Sequence, residues 1–130
     1  MKLLLQRVRP DEPFQQPIRT FEHYTLHLSR PIILRPGCVG QAVTNVALAV
    51  PPQTLAIVRP AIELVHKHGL YIPSQTLGYF DTDEVTTPVR NLTGKSITLK
   101  SGVALLEMEL VSGAQVGPAE MELVRCLPSR

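Results

Sequence analysis

The chain has 130 residues, of which 44% are hydrophobic and 18% are charged, and its formal net charge is +2. This length predicts one domain with a hydrophobic core of its own. With three Phe, three Tyr and no Trp, the composition argues against an aromatic platform for single-stranded nucleic acid. Basic residues are mildly enriched in the first quarter but form no dense run. We therefore expect these basic residues to lie on a solvent-exposed edge of the domain. The alternative is an arm that binds phosphate or an acidic partner.

The first residues, MKLLLQRVRPDEP, contain an apolar core of only three leucines. This core is too short for the apolar region of a signal peptide, so export is not expected. No run approaches the roughly 18 apolar residues of a membrane span. Cys38 and Cys126 lack CxxC spacing. We expect two free, buried thiols in a reducing compartment, with a disulfide between them as the alternative.

The next segments predict an all-β domain. Residues 8–20 hold three prolines and little periodicity, which predicts an extended arm. HYTLHLS (23–29) and QAVTNVALAV (41–50) alternate apolar and polar side chains with period two, as half-buried strands do. Shorter runs of the same kind continue to residue 111 with turn signals between them, a pattern typical of a sandwich or barrel. Only PAIELVHKH (60–68) predicts a turn of helix.

The end of the chain contains two apolar strands. VALLEMELV (103–111) is partly apolar on both faces, which predicts burial on two sides. The short strand in AEMELVRCL (119–127) must dock on its own sheet or on a neighbour's, because an isolated strand is not stable. Packing inside one monomer is the alternative to an interface between copies. The predicted oligomer-interface residues are Leu106, Met108, Leu110, Met121 and Leu123.

From residue 31 to residue 111 the order of features resembles the trimeric dUTPase family. The matching features are a Pro-Gly turn at the start of the core, the segments KHGL (67–70) and GYFDTD (78–83), Asn91, and a strand led by Gly102. The resemblance implies an all-β, β-clip or jelly-roll-like single domain over residues 1–130 that assembles as a homotrimer. The N-terminal arm would be residues 8–20, the core residues 31–111 and the C-terminal arm residues 112–130.

The resemblance also implies where a nucleotide site would lie. Asp81 corresponds to the carboxylate that orders the attacking water in that family. The phosphate-binding Arg-Ser-Gly positions hold Ala-Ile-Glu at 61–63, Glu84 stands where a Tyr stacks on the base, and Glu107 replaces a Gln. The glycine-rich C-terminal lid has no match. Since removing one preorganised donor costs about 2.7–4 kcal/mol of transition-state stabilisation, we interpret the chain as a member that has lost catalysis.

A second resemblance overlaps the first. PVRNLTGKSITLKSGVALLEME (88–109) is similar to the β-domain beside the protease in gypsy-type retroelement polyproteins. Adenoviruses also carry early proteins that look like dUTPases without the site. Both resemblances predict a viral or mobile-element origin by analogy of fold. The expected location is then the host cytosol or nucleus, or the virion.

The acidic cluster Asp81, Asp83 and Glu84 has two interpretations. Three carboxylates within four residues could order a water molecule or bind a divalent cation. Asp-x-Asp is also good turn chemistry, and without phosphate partners we favour a structural hairpin turn.

The histidines do not predict a metal site. His66 and His68 would share one face of a strand, but no third ligand can be assigned. His23 and His27 would lie about 13 Å apart along a strand, too far to share one ion.

The sequence therefore predicts a non-enzymatic, homotrimeric β-domain for assembly or recognition. Its further partner would be a viral capsid or another protein surface, and it would need no cofactor. The first alternative is a dUTP pyrophosphatase or nucleotide-binding protein with an altered site. In that case Asp81 would be catalytic, Arg59, Lys67 and Asp83 would bind the nucleotide, and Mg²⁺ would be required. The second alternative is a viral accessory protein that binds a host partner.

Overall fold

The computed structural model describes residues 2–20, 23–112 and 120–130. Twelve strands and one helix are described. In chain order they are β1 (Lys2–Arg7), β2 (Ile18–Thr20), β3 (His23–His27), β4 (Ile32–Leu34), β5 (Val39–Ala49), β6 (Thr54–Pro60), α1 (Ile62–His68), β7 (Leu70–Tyr71), β8 (Gln75–Leu77), β9 (Glu84–Asn91), β10 (Ile97–Leu99), β11 (Ala104–Ser112) and β12 (Glu120–Val124).

These strands form two five-stranded sheets and one two-stranded sheet. Sheet A has the order β12-β1-β5-β9-β7, sheet B has the order β2-β3-β11-β6-β8, and β10 pairs with β4. One hydrophobic core contains side chains of both large sheets, among them Leu3 and Leu5 of sheet A and Tyr24 and Leu26 of sheet B. The predicted all-β single domain is confirmed, and strands account for 54% of the described residues.

Strand β1, which the sequence does not predict, is an inner strand of sheet A, between β12 and β5. It pairs antiparallel with β5 and parallel with β12, with Lys2 opposite Glu120. Leu3 and Leu5 point into the core and are fully buried, while Leu4 is half-buried. The predicted C-terminal strand therefore exists as β12, and in this structure it docks on the sheet of its own chain.

A bend in β5 holds the predicted N-terminal arm against the domain. Asn45 interrupts β5 with a φ of 61° and is fully buried. Its Oδ1 accepts from Arg9 N at 2.6 Å, and its Nδ2 donates to Arg9 O at 3.0 Å and to Pro13 O at 3.2 Å. The same Nδ2 also donates to Glu12 O at 3.4 Å, so residues 9–13 are fixed by one side chain that bonds four main-chain groups. The end of the arm, Ile18–Thr20, is not irregular but pairs with β3 as β2.

Helix α1 confirms the predicted helical turn. It has Glu63 in its first turn and basic side chains in its last turn, which suits the helix dipole. Gly69 ends the helix in the left-handed region with a φ of 65°, and its N–H donates to Val65 O at 3.1 Å. A side chain at this position would be strained, so glycine is required for the helix to stop and β7 to begin.

Strand β11 lies in the middle of sheet B, and its apolar residues belong to the core of this chain. A shift in register between Ala104 and Leu106 lets Leu105 and Leu106 both be buried. Leu106, Met108 and Leu110 are at most 2% exposed. The prediction that these three residues form an oligomer interface is therefore wrong, because their own sheets already cover them.

The two predicted interface residues on β12 differ from those on β11. Met121 is partly buried against the core, while Leu123 is 48% exposed. Of the five predicted interface residues, only Leu123 keeps a large exposed apolar surface, and its role in an interface stays a prediction.

The cysteines are free, as predicted, but both are exposed rather than buried. The expectation of buried thiols is wrong because Cys38 lies in the turn before β5 and Cys126 follows the edge strand β12. Among the described residues, no helix is both long enough and apolar enough to span a bilayer.

Candidate functional site

The segment that carries Asp81 crosses from one large sheet to the other. Strand β8 pairs with β6 in sheet B, and β9 pairs with β5 in sheet A, so β8 and β9 are not partners. The predicted hairpin is therefore wrong, and residues 78–83 form a crossover turn between the sheets. A local sequence pattern cannot separate these cases, since both need the same turn residues.

Two reciprocal hydrogen bonds close this turn. Asp81 N donates to Gly78 O at 3.1 Å, and Gly78 N donates to Asp81 Oδ2 at 2.7 Å. The Asp81 side chain is exposed, and its other oxygen has no hydrogen-bond partner among the described residues. The turn therefore presents one fixed carboxylate to solvent.

Aromatic side chains brace the turn, and no sequence motif indicates this. The rings of Tyr79 and Phe80 lie 5.2 Å apart at an interplanar angle of 59°. The Arg130 guanidinium stacks 3.9 Å from the centre of the Tyr79 ring, and its Nη1 donates to Val50 O at 2.6 Å and to Tyr79 O at 3.1 Å. A cation over an aromatic face is attracted to it, so Arg130 holds Tyr79 from a position 51 residues along the chain.

The three carboxylates of the acidic cluster have different environments. Asp81 and Asp83 are exposed. Glu84 is mostly buried and accepts from Arg9 Nη2 at 2.7 Å and from Asn45 N at 2.8 Å. The hydrogen bond from Arg9 lowers the pKa of Glu84, and that pair also keeps the pKa of Arg9 above its usual value. Glu84 is therefore a structural anion, and only Asp81 and Asp83 are free to contact a ligand.

Glu12 extends this ion-pair network along the N-terminal arm. Its carboxylate accepts from Arg30 Nε at 2.6 Å and also from Arg9 Nε. The hydrogen bond from Arg30, followed by that from Arg9, lowers the pKa of Glu12. The network joins the arm to the start of β9 beside the crossover turn.

The network makes the stability of the domain sensitive to acid. Folded Glu12 and Glu84 have pKa values below their usual value of 4.5, so the unfolded chain binds more protons. Stability is then fully present above about pH 4.5 and decreases as the pH falls through the folded pKa values. We expect urea denaturation between about pH 3 and pH 7 to show this decrease. Glu84→Gln should be less stable at neutral pH and lose less on acidification.

A buried histidine adds a second loss of stability on acidification, which begins at a higher pH than that of the network. His27 is 8% exposed, its Nδ1 has no hydrogen-bond partner among the described residues, and burial lowers its pKa. Because the folded pKa lies below the usual 6.5, stability from this residue decreases as the pH falls below that value. Glu84→Gln should leave this upper part of the profile unchanged. If Glu84→Gln reduced the pH dependence of stability equally in both pH ranges, the lower range could not be assigned to the ion-pair network.

The candidate nucleotide ligands Arg59 and Lys67 lie apart from the turn. Arg59 is on β6, with Nη2 3.7 Å from Glu109 Oε2, and lines a cavity of about 120 Å³ on sheet B. Lys67 is exposed on α1 and lines an open cavity of about 440 Å³ beside Glu63. Neither cavity includes Asp81 or Asp83. Within one chain, the basic candidates Arg59 and Lys67 and the acidic candidates Asp81 and Asp83 therefore do not line the same cavity.

The histidines form no metal site in the described part of the chain. His66 and His68 lie on a helix, so the expected shared face of a strand does not exist. His23 and His27 are at the two ends of β3, as predicted. No group of three or more His, Cys, Asp or Glu side chains that could hold an ion is found in residues 2–20, 23–112 and 120–130.

Comparison with known proteins identifies the class of fold. No protein-family model matches the sequence. The dUTPase of phage phi11 of S. aureus, solved as a mutant with a structural Mg(II) ion, is 13% identical with a TM-score of 0.76 and covers 94% of this chain and 95% of its own. The dUTPase of Staphylococcus bacteriophage 80alpha is 13% identical, with a TM-score of 0.77 and 98% coverage of both chains. The chain therefore has a dUTPase-like fold.

Sequence comparison points to the same class. The deoxyuridine 5'-triphosphate nucleotidohydrolases of two strains of Leptospira interrogans are each 28% identical to this chain over 115 residues. The alignment covers 83% of this chain and 78% of each relative.

These comparisons correct two predictions. The non-enzymatic assembly domain is wrong as the main interpretation, because the similar proteins found by sequence and by fold are named as enzymes that act on dUTP. The expectation of no cofactor is also wrong, since the phi11 structure describes coordination of a structural Mg(II) ion. The predicted viral origin and virion location stay predictions.

Proposed function

We propose that the chain is a dUTP pyrophosphatase with an altered site. The proposal is carried by the 28% identity to dUTP nucleotidohydrolases, which extends over 83% of this chain. The reaction would add water to the α-phosphorus of dUTP and break its bond to the bridging oxygen, giving dUMP and diphosphate. Asp81 would accept a proton from the attacking water, since its carboxylate is exposed and its position is fixed by Gly78.

The acidic turn suits a magnesium ion that arrives with the triphosphate. Mg²⁺ is usually bound in proteins through one or two carboxylates together with substrate phosphates. Asp81 and Asp83 supply two exposed carboxylates, while Glu84 is neutralised by Arg9. When bound, the ion would offset phosphate charge that these carboxylates alone would repel.

We further propose that the site is completed between copies of the chain in a homotrimer. Asp81, Arg59 and Lys67 lie on separate parts of one chain, which supports a site to which more than one protomer contributes. Arg59 is exposed, and its contact with Glu109 is a long one of 3.7 Å, so a phosphate of the substrate can compete for it. Lys67 is likewise free to reach an anion from the exposed face of α1.

Native mass spectrometry tests both parts of the proposal in one sample. With Mg²⁺ and dUTP we expect an assembly of about 43 kDa, three times the chain mass of 14.4 kDa, together with conversion of dUTP to dUMP. A chelator should stop the conversion and leave the assembly intact. A monomer that still converts dUTP would overturn the shared site, and a trimer that leaves dUTP intact would overturn the enzyme.

A further inference from the structure

We propose that the outer face of sheet A, at its β7 edge, is a docking surface for an extended acidic peptide of a partner protein. A cavity of about 190 Å³ with mostly apolar walls lies there, and we call it the Arg90 cleft. Its lining residues are Val39, Tyr71, Pro73, Pro88 and Arg90. None of the five is assigned to the proposed nucleotide site, so the inference does not depend on hydrolysis of dUTP.

The register of three strands brings the cleft residues together. Arg90 of β9 lies opposite Val39 of β5 on one side and opposite Tyr71 of β7 on the other. Side chains of directly opposite residues point to the same face of a sheet, and Pro88, two residues before Arg90, points the same way. Val39 is 53% exposed and Tyr71 is 56% exposed. The cleft therefore offers apolar surface that its own chain leaves uncovered.

The charge of the Arg90 cleft is positive and unopposed. Arg90 is exposed and makes no ion pair among residues 2–20, 23–112 and 120–130. The segments that contain the five lining residues, 30–62, 64–80 and 85–106, contain no Asp or Glu. Along β9 itself, Glu84 lies six residues before Arg90, which is about 20 Å, and it is already paired with Arg9. An incoming carboxylate therefore finds a free guanidinium.

Asn91 brings two more cations to the border of the cleft. Its side chain is fully buried, and its Nδ2 donates to Leu34 O at 3.0 Å and to Lys95 O at 2.7 Å. One amide group thus holds the chain at Arg35, which follows Leu34, and the chain at Lys95 next to Arg90. Arg35 and Lys95 are exposed, and neither makes an ion pair with another described residue.

The shape of the cleft favours a peptide over nucleic acid or a membrane. A concave site with apolar walls accepts one large apolar side chain as an anchor, as the central pockets of protein interfaces do. A membrane surface offers no protruding side chain to fill it. Affinity for nucleic acid comes mainly from phosphate contacts, which need a denser basic surface than three cations.

The edge position of β7 favours an extended form of the peptide. Strand β7 is the last strand of sheet A, and β9 is its one partner among the described strands. Its other side can therefore accept the main chain of an added strand. Acidic side chains on either side of an apolar anchor then reach Arg90 and its neighbours Arg35 and Lys95 as charge-assisted hydrogen-bond acceptors.

Selection from a displayed library of random short peptides tests the proposal on the full chain. Wild-type protein is the bait, and Arg90→Glu is used to remove peptides that do not need the cleft. We expect the recovered peptides to be enriched in aspartate and glutamate around one large apolar residue. Recovery of peptides without this enrichment, or of none that distinguishes the two proteins, rejects the docking surface.

Titration of one recovered peptide, labelled with fluorescein, separates the contributions of charge and apolar contact. Arg90→Glu should weaken binding by about tenfold or more, because it places a like charge against the peptide. Tyr71→Ser should weaken binding by about tenfold, because it removes a wall of the anchor site. Arg19→Glu is the matched control, since it makes the same change of charge at an exposed residue of β2 in sheet B, and it should keep wild-type affinity. Circular dichroism checks that all three variants are folded.

Three further results count against the proposal. If Arg19→Glu weakens binding as much as Arg90→Glu, the peptide responds to net charge alone. If Arg90→Glu changes the mass of the assembly, the cleft is covered by another copy of the chain. If an oligothymidylate binds more tightly than the peptide and also requires Arg90, the surface binds nucleic acid. Because peptide binding is measured without nucleotide, failure of the proposed hydrolase leaves each of these outcomes readable.

Discussion

Exchange of Asp81 for Asn is expected to lower kcat for dUTP hydrolysis by a factor of about 10²–10⁴, the usual contribution of a positioned general base. Asn keeps an oxygen that can accept from Gly78 N, so the turn stays closed while the negative charge is lost. The decrease should therefore occur without a change in thermal stability. Initial rates of diphosphate release at saturating dUTP and Mg²⁺ measure the effect.

Two further variants separate catalysis from turn structure. Asp11→Asn is the matched control, because Asp11 is an exposed aspartate of the N-terminal arm that is not a residue of the crossover turn, and the variant should retain full activity. Asp81→Ala removes the acceptor as well as the charge and should both inactivate the enzyme and loosen the turn. If Asp81→Asn kept wild-type kcat, Asp81 would not act as the base and the proposed mechanism would be rejected.

Exchange of Asn45 for Ala should destabilise the domain by about 3 kcal/mol. The change leaves Arg9 N without its acceptor, and one buried unpaired group costs about 1–3 kcal/mol, whereas Arg9 O still accepts from Glu12 N and Pro13 O from Ser29 Oγ. Ala also fits the φ of 61° poorly, which adds about 1 kcal/mol. Urea unfolding followed by circular dichroism measures the loss.

Glycine at the same position divides that cost into its two causes. Asn45→Gly accepts the left-handed conformation but offers no side-chain hydrogen bonds. It should therefore lie between wild type and Asn45→Ala in its free energy of unfolding. A glycine variant as stable as wild type would show that the four hydrogen bonds of the Asn45 side chain to the arm contribute nothing, and that the N-terminal arm is held by other contacts.

Several strands and the helix are predictable because their signals are local. The alternation of Tyr24 and Leu26, continued by Leu28 just after the strand, marks β3 and its inner face, and all three side chains are buried. The helical turn predicted at 60–68 is α1, and Gly69 after it supplies the required stop. In each case the neighbours along the chain determine which face is buried, so the sequence pattern is sufficient.

Other features depend on partners far along the chain and have no local signal. Consecutive leucines at 3–5 do not alternate, yet β1 is buried between β5 and β12. The Asp81 turn reads as a hairpin, although its flanking strands enter different sheets. The shift in register at Ala104 places Leu105 and Leu106 both in the core, and period-two counting cannot foresee such a shift.

The candidate site is predictable only in part, for a related reason. Asp81 is identifiable because a resemblance fixes its position within a short segment. The contacts of Tyr79 with Arg130 and of Glu84 with Arg9 join residues 51 and 75 positions apart. Judging the site by the identity of single matched positions led to the prediction of lost catalysis. That approach does not detect contacts between residues far apart along the chain, such as those of Tyr79 with Arg130 and of Glu84 with Arg9.

The parallel pairing of β1 with β12 determines when sheet A can be completed during synthesis of the chain. During synthesis β1 leaves the ribosome well before β12, so one edge of β1 stays unpaired until residues 120–124 have emerged. An uncovered apolar strand edge is a template for wrong pairing with other nascent chains. Expression at high ribosome density therefore favours aggregation of this chain, whereas slower initiation or a trigger-type chaperone at the exit tunnel favours recovery of folded protein.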